Sequence, residues 1–195
     1  YVGVLDSQSL KYKGGGFSFG AWINADTAEN NNGWIISKPW NGAGEYNYFL
    51  RYDYNRRITF RIGGAIQTDL TSASAIPANE WHFVFATADS SKNMVLYIDG
   101  VKQAYLTHAI SDWTPVNGDL NLNLAIGTLY PYGSGEWYAP TYSFNGSVDE
   151  VRIWNRSLSS SEVYELYASN LQKYNQTQWY LYVNQSKNAT DGLDA

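Results

Sequence analysis

Apolar residues return at every second position in segment after segment of this chain, and that period constrains the fold more than any other feature. Phe17-Ser18-Phe19-Gly20-Ala21-Trp22-Ile23 alternates in this way, as do Tyr48-Phe49-Leu50-Arg51-Tyr52, Arg57-Ile58-Thr59-Phe60-Arg61-Ile62 and Trp81-His82-Phe83-Val84-Phe85-Ala86. A period of two sends successive side chains to opposite faces of a strand, so each segment predicts one face on a core and one toward water. Met94–Ile98 and 101–105 flank Asp99-Gly100, a two-residue turn whose positions both need positive φ, and the pair predicts a tight hairpin. Asn-Gly steps at 32, 41, 117 and 145 punctuate other strand ends. One helix is predicted, opened by Ser159-Ser160-Ser161-Glu162, with Val163, Leu166 and Tyr167 on one face. Ten to fourteen short strands and one helix predict an all-β fold, a two-sheet antiparallel sandwich.

With 195 residues the chain is long enough for one domain with its own core, and the absence of cysteine removes disulfide frameworks, thiolate metal sites and cysteine nucleophiles together. The net charge of −5 comes without a basic stripe, which argues against nucleic acid, and no apolar run reaches the ~20 residues a membrane span needs. The chain opens at Tyr1 without a leader pattern and reads as an excised domain or a processed mature chain. Tyr, Trp, Asn, Ser and Gly stand where Lys and Glu are usual, a composition suited to a secreted or cell-surface protein that meets neutral polar ligands. From Asn170 onward the chain turns polar, with one strand-like island at Trp179–Val183. The expected division is therefore a domain over 1–169 and an extension or linker to a following domain over 170–195.

Three pieces carry a family resemblance. Phe17–Ile23 is one; Glu80–Phe85 running through Val95-Leu96-Tyr97-Ile98-Asp99-Gly100 is the second. The third is Phe144-Asn145-Gly146-Ser147-Val148-Asp149-Glu150-Val151-Arg152-Ile153-Trp154-Asn155-Arg156-Ser157-Leu158-Ser159, followed by Glu162. In order and spacing they resemble the LamG-like, concanavalin A-like jelly roll of the laminin-G and pentraxin type. The resemblance implies two stacked antiparallel sheets and a short C-terminal helix. Phe19, Trp22, Phe83, Phe85, Leu96, Ile98, Val151 and Ile153 are then expected in the layer between the sheets.

Catalysis is not expected. Glycoside hydrolases of this jelly roll carry paired carboxylates on one strand, and retaining hydrolysis needs them about 5–5.5 Å apart. Glu45, Glu80, Glu136, Glu150, Glu162 and Glu165 are scattered instead. His82 and His108 belong to no metal-binding spacing, and His82 is expected to face water. The resemblance implies one structural calcium ion (Ca2+), with Asp149 at the matching position; Asp6 near the N-terminus is a candidate further ligand, the remaining oxygens would be loop carbonyls, and the alternative for Asp149 is a bond to strand-end backbone groups or to Arg152.

The expected ligand surface lies on two loops. Tyr130, Tyr132, Trp137 and Tyr138 stand among glycine and proline, and Trp40, Asn41, Glu45 and Tyr46 form a second such stretch, which the resemblance places beside the first. Rings concentrated in a loop either tuck onto the body or are displayed. Displayed, they offer flat apolar faces to the C–H side of a pyranose at little entropic cost. Tyr48, Arg51, Asn47 and Gln67 would supply further contacts and planar polar partners for the hydroxyls. This predicts a carbohydrate-binding module for a polysaccharide or other glycan. The competing readings are an adhesion or assembly module for another surface protein, and a structural spacer. Asn-x-Ser/Thr sequons at 145, 155, 175, 184 and 188 all fall in the last quarter of the chain.

Overall fold

A computed structural model describes residues 1–26, 33–39, 46–62, 68–107, 123–129 and 143–174. The strands are β1 (Val2–Val4), β2 (Phe17–Ala25), β3 (Gly33–Pro39), β4 (Tyr46–Tyr52), β5 (Ile58–Ile62), β6 (Thr68–Thr71), β7 (Trp81–Ala88), β8 (Met94–Ile98), β9 (Val101–Leu106), β10 (Leu124–Ile126) and β11 (Gly146–Trp154); helix α1 spans Ser160–Tyr174. They form two sheets, ordered β1-β10-β3-β4-β5-β6 and β11-β2-β7-β8-β9, antiparallel at every pairing. The two-sheet antiparallel jelly roll with one C-terminal helix is thus present. The Asp99-Gly100 hairpin is too, with φ of 52° and 73° at its two turn residues.

Period two decides which side chains meet between the sheets. Phe17, Phe19, Ala21 and Ile23 of β2 join Val84, Ala86 and Ala88 of β7 and Leu96 and Ile98 of β8 from one sheet; Tyr48, Leu50, Tyr52, Ile58, Phe60 and Ile62 close the layer from the other. In β11 the parity breaks, because Val148, Val151 and Ile153 all lean on this core. The register shifts between Asp149 and Arg152, with Glu150 at φ 49°, so one extra residue turns the odd positions inward.

Trp22, Phe83 and Phe85 correct the expected core. They occupy the opposite face of β2 and β7, in a second cluster with Tyr97, Leu158 and Val163, and they pack beneath α1 rather than between the sheets. A strand covered on both faces reads as a nearly continuous apolar run, so hydrophobicity alone could not assign its sides. His82 is corrected as well. It shares the inward parity of Val84, is 9% exposed, and its Nδ1 lies 2.8 Å from Asp99 Oδ2. The other oxygen of Asp99 accepts the Phe83 N–H at 2.8 Å, so the pair clasps the β8–β9 turn to β7.

Ser18 fixes the approach to the helix by donating to the Arg156 carbonyl (2.8 Å) and accepting the Leu158 N–H (2.9 Å). A capping box then opens α1. Ser159 N–H donates to Glu162 Oε2 at 2.8 Å, and Glu162 N–H donates to Ser159 Oγ at 3.3 Å. Arg156, and then the Ser159 N–H and hydroxyl, hold the Glu162 carboxyl down at about 2, so this side of the box survives mild acid. Ser159→Ala is expected to cost about 1 kcal/mol, seen as a lower urea midpoint at unchanged slope; an unmoved midpoint would show that the cap adds nothing to stability. The helix runs five residues past the expected boundary at 169, because Leu171 and Tyr174 continue the apolar stripe of Val163, Leu166 and Tyr167. The strand expected at 179–183 lies outside the described residues.

Candidate functional site

The predicted ligand residues separate into three groups. Trp40, Asn41, Glu45, Gln67, Tyr130, Tyr132, Trp137 and Tyr138 lie outside the described residues, as does His108. Tyr46 opens β4 and pairs with Pro39. Tyr48, Asn47 and Arg51 are placed on β4.

Tyr48 is not a ligand residue. It is fully buried between the sheets against Phe17 and Phe19, and its hydroxyl donates to the Leu10 carbonyl at 2.9 Å. Burial pushes that hydroxyl well above the usual phenol range. Asn47 points the other way but is also committed, accepting the Tyr12 N–H at 2.8 Å and donating to the Tyr12 carbonyl at 3.3 Å.

Arg51 stands on the outward face of the six-stranded sheet, and the register shows its surroundings. Gly3, Ala125, Ser37, Phe49, Arg61 and Asp69 form one row across the sheet; Trp34, Arg51, Thr59 and Thr71 form the next. Trp34 meets Phe49 edge to face at 4.4 Å, with Leu129 completing a small apolar cluster. Arg51 reaches over the Trp34 ring, 5.9 Å from its centroid, and Arg61 lies over Phe49 at 4.9 Å. Asp69 grips Arg61 through both carboxylate oxygens, Nη2 to Oδ2 at 2.8 Å and Nε to Oδ1. The hydroxyls of Thr59 and Thr71 bond each other at 3.1 Å. Trp34 was missed as a neighbour of Arg51, although the shared parity of Thr59 and Arg61 in β5 was readable. The irregular register between Trp34 and Ile36 hides the side on which Trp34 falls.

A groove of about 660 Å³ opens elsewhere, where the start of β7, the Asp99-Gly100 turn and the end of α1 meet. Glu80, Trp81, Asp99, Lys173 and Tyr174 line it. Its rings are already used in docking the helix: Trp22 stacks on Tyr174 at 4.3 Å and on Tyr167 at 5.6 Å.

The residues expected to hold calcium do not fit the ion. Asp6 gives one oxygen to Lys38 Nζ at 2.6 Å and the other to Lys11 Nζ at 3.0 Å. Asp149 sits on β11 of the other sheet, where it takes Lys173 Nζ at 2.9 Å and the Glu150 N–H at 2.7 Å. Lys173 first, with Tyr174 beside it, holds the Asp149 carboxyl below its ordinary range. Calcium wants six to eight oxygens free of competing cations, and ammonium groups already fill these places. Among the described residues no cluster of three or more metal-ligating side chains occurs, and no helix is long and apolar enough to cross a membrane.

A family model described as the concanavalin A-like lectin/glucanases superfamily matches residues 1–164. Among solved structures, the binding domain of Paraclostridial Mosquitocidal Protein 1 superposes with a TM-score of 0.64 at 17% identity, over 87% of this chain and 41% of that one. The CBM40 of Ruminococcus gnavus IT-sialidase, bound to α2,3-sialyllactose, gives 0.62 at 18% identity, over 84% and 83%. A candidate carbohydrate-binding protein of Bacteroides ovatus gives 0.60 at 18% identity, over 84% and 43%. This chain therefore spans under half the length of two of the three. At these identities the likeness is one of fold.

Proposed function

Because the chain belongs to the concanavalin A-like lectin/glucanase superfamily, we propose that it is a non-catalytic carbohydrate-binding module of a larger secreted or cell-surface protein. The observation that carries this reading is the outward row Trp34-Arg51-Thr59-Thr71, which sets a planar guanidinium and paired hydroxyls along an aromatic ring. Planar polar groups with two directed donors discriminate sugar hydroxyls and ring substituents, and a few such groups fix a ligand's orientation. Trp40, Tyr46, Tyr130, Tyr132, Trp137 and Tyr138 are the rings proposed to stack on the sugar from the flanking segments. The fold neighbours whose names mention carbohydrate binding agree with this reading.

Eight carboxylates among the described residues agree with the non-catalytic reading. Asp6, Asp53, Asp69, Asp89, Asp99, Asp149, Glu150 and Glu162 each already hold an ammonium, guanidinium, imidazole or amide partner. Retaining hydrolysis needs two carboxyl groups about 5–5.5 Å apart flanking the scissile bond.

The test is a glycan array followed by titration of the best ligand. Saturable binding is expected, weakened at least about tenfold in Trp40→Ala and in Trp137→Ala, as loss of a stacking ring in a sugar site implies. Binding to a protein partner with no response to any glycan would replace this reading with the assembly-module one.

A further inference from the structure

We propose that the ligand carries a carboxylate, and that Arg51 is the group that binds it; this rests on the glycan-binding reading above and names the class of sugar. Of the six arginines in the chain, Arg61, Arg152 and Arg156 are ion-paired, and Arg56 and Arg57 project into water. Arg51 alone is partly buried with neither solution. Its Nε is buried and has no acceptor, and its contact is the face of Trp34.

The carboxylates nearest in the sheet are committed elsewhere. Asp69 holds Arg61, and Asp53 accepts the N–H groups of Asn55 and Arg57. Thr59 has turned its hydroxyl to Thr71. The row thus keeps a fixed positive charge and supplies no negative one, in a protein whose net charge is −5. A buried donor without a partner is destabilising, and native structures keep few of them. Placed against an aromatic ring, a guanidinium is held in one plane with its donors in a rigid fork. The two coplanar oxygens of a carboxylate match that fork, and one charge matches one charge. Arg51 is only partly buried. Uronic and sialic sugars both present such a group, and the assay distinguishes them.

The experiment is calorimetric titration of the purified chain with oligogalacturonides and with sialylated oligosaccharides. Each is compared with its carboxyl-reduced counterpart and with a sulfated neutral glycan. For at least one of the two acids, the acidic form is expected to bind about tenfold or more tightly than the reduced form, with the preference weakening as salt rises. Arg51→Gln is expected to bring that ratio near one, and Arg51→Lys to leave a partial preference, since it keeps charge without the fork. Equal affinity of the unmodified chain for acid and reduced forms overturns the inference without recourse to a variant. So does a preference unchanged in a correctly folded Arg51→Gln, or tighter binding of the sulfated glycan. Neutral glycans binding well with no acid preference would leave the glycan reading standing and remove this one alone. Binding in no arm, with none on the array, removes both.

Discussion

Asp6→Asn is expected to lower the unfolding free energy by roughly 3 kcal/mol, because removing one member of a buried ion cluster strands the others. Asp6 sits between Lys11 and Lys38, whose side chains are 5% and 2% exposed. The three residues lock the segment after β1 to β3, and Asp6 N–H donates to Asn123 Oδ1 at 3.1 Å on the approach to β10. Burial alone would raise the Asp6 carboxyl. Lys38 and Lys11 overcome it and hold the group below its ordinary range. A depressed folded-state value has a definite consequence. The stabilisation is fully present above the unfolded carboxylate range near pH 4, and is lost as pH falls through the depressed folded value. The unmodified chain should therefore lose stability on acidification more steeply than Asp6→Asn. Urea midpoints at neutral pH and again below pH 4 test both parts. A variant within about 1 kcal/mol of the unmodified chain at neutral pH would mean that the cluster is no more than an exposed pair in strength.

The cluster also shows what a sequence cannot reveal. The sequence offers Asp6 as a calcium ligand; in the structure its two oxygens are taken by Lys11 and Lys38. Its actual partners lie 5 and 32 positions away, and nothing in the local spacing joins them. Long-range ion pairs have no period. The elements that do have one were legible: the alternation of β2, β4, β5 and β7, the Asp-Gly hairpin and the capped helix. Tyr48 failed for a related reason. An aromatic residue in an alternating strand belongs to whichever face its parity gives it, and Leu50 and Tyr52 share that parity on the core side. Arg51, one position out of phase with them, was legible as outward-facing. Its lack of a partner was not, because that follows from Asp69 choosing Arg61 across the β5–β6 pairing.

The same ambiguity of faces makes Trp22→Ala the most discriminating substitution in the molecule. Trp22 and Phe19 sit on one strand, three residues apart and on opposite sides. Phe19 fills the inter-sheet core; Trp22, 2% exposed, lies under α1 against Phe83, Tyr167 and Tyr174. Emptying a buried site of tryptophan size costs roughly 4 kcal/mol. The isolated helix is only 15 residues long, near the limit of what stands in water without tertiary support. Losing the ring should therefore first release the end of the helix, where Leu171 and Tyr174 depend on it. Amide exchange is expected to accelerate along Leu166–Tyr174 while Val84, Ala86 and Leu96 in the sheet stay protected. Phe19→Ala should do the reverse, weakening both sheets together, because its ring meets Tyr48 and Phe60 of the opposite sheet. Exchange that rises uniformly in Trp22→Ala, or not at all in α1, would show that the helix and the sandwich do not share this contact in the way the structure places it.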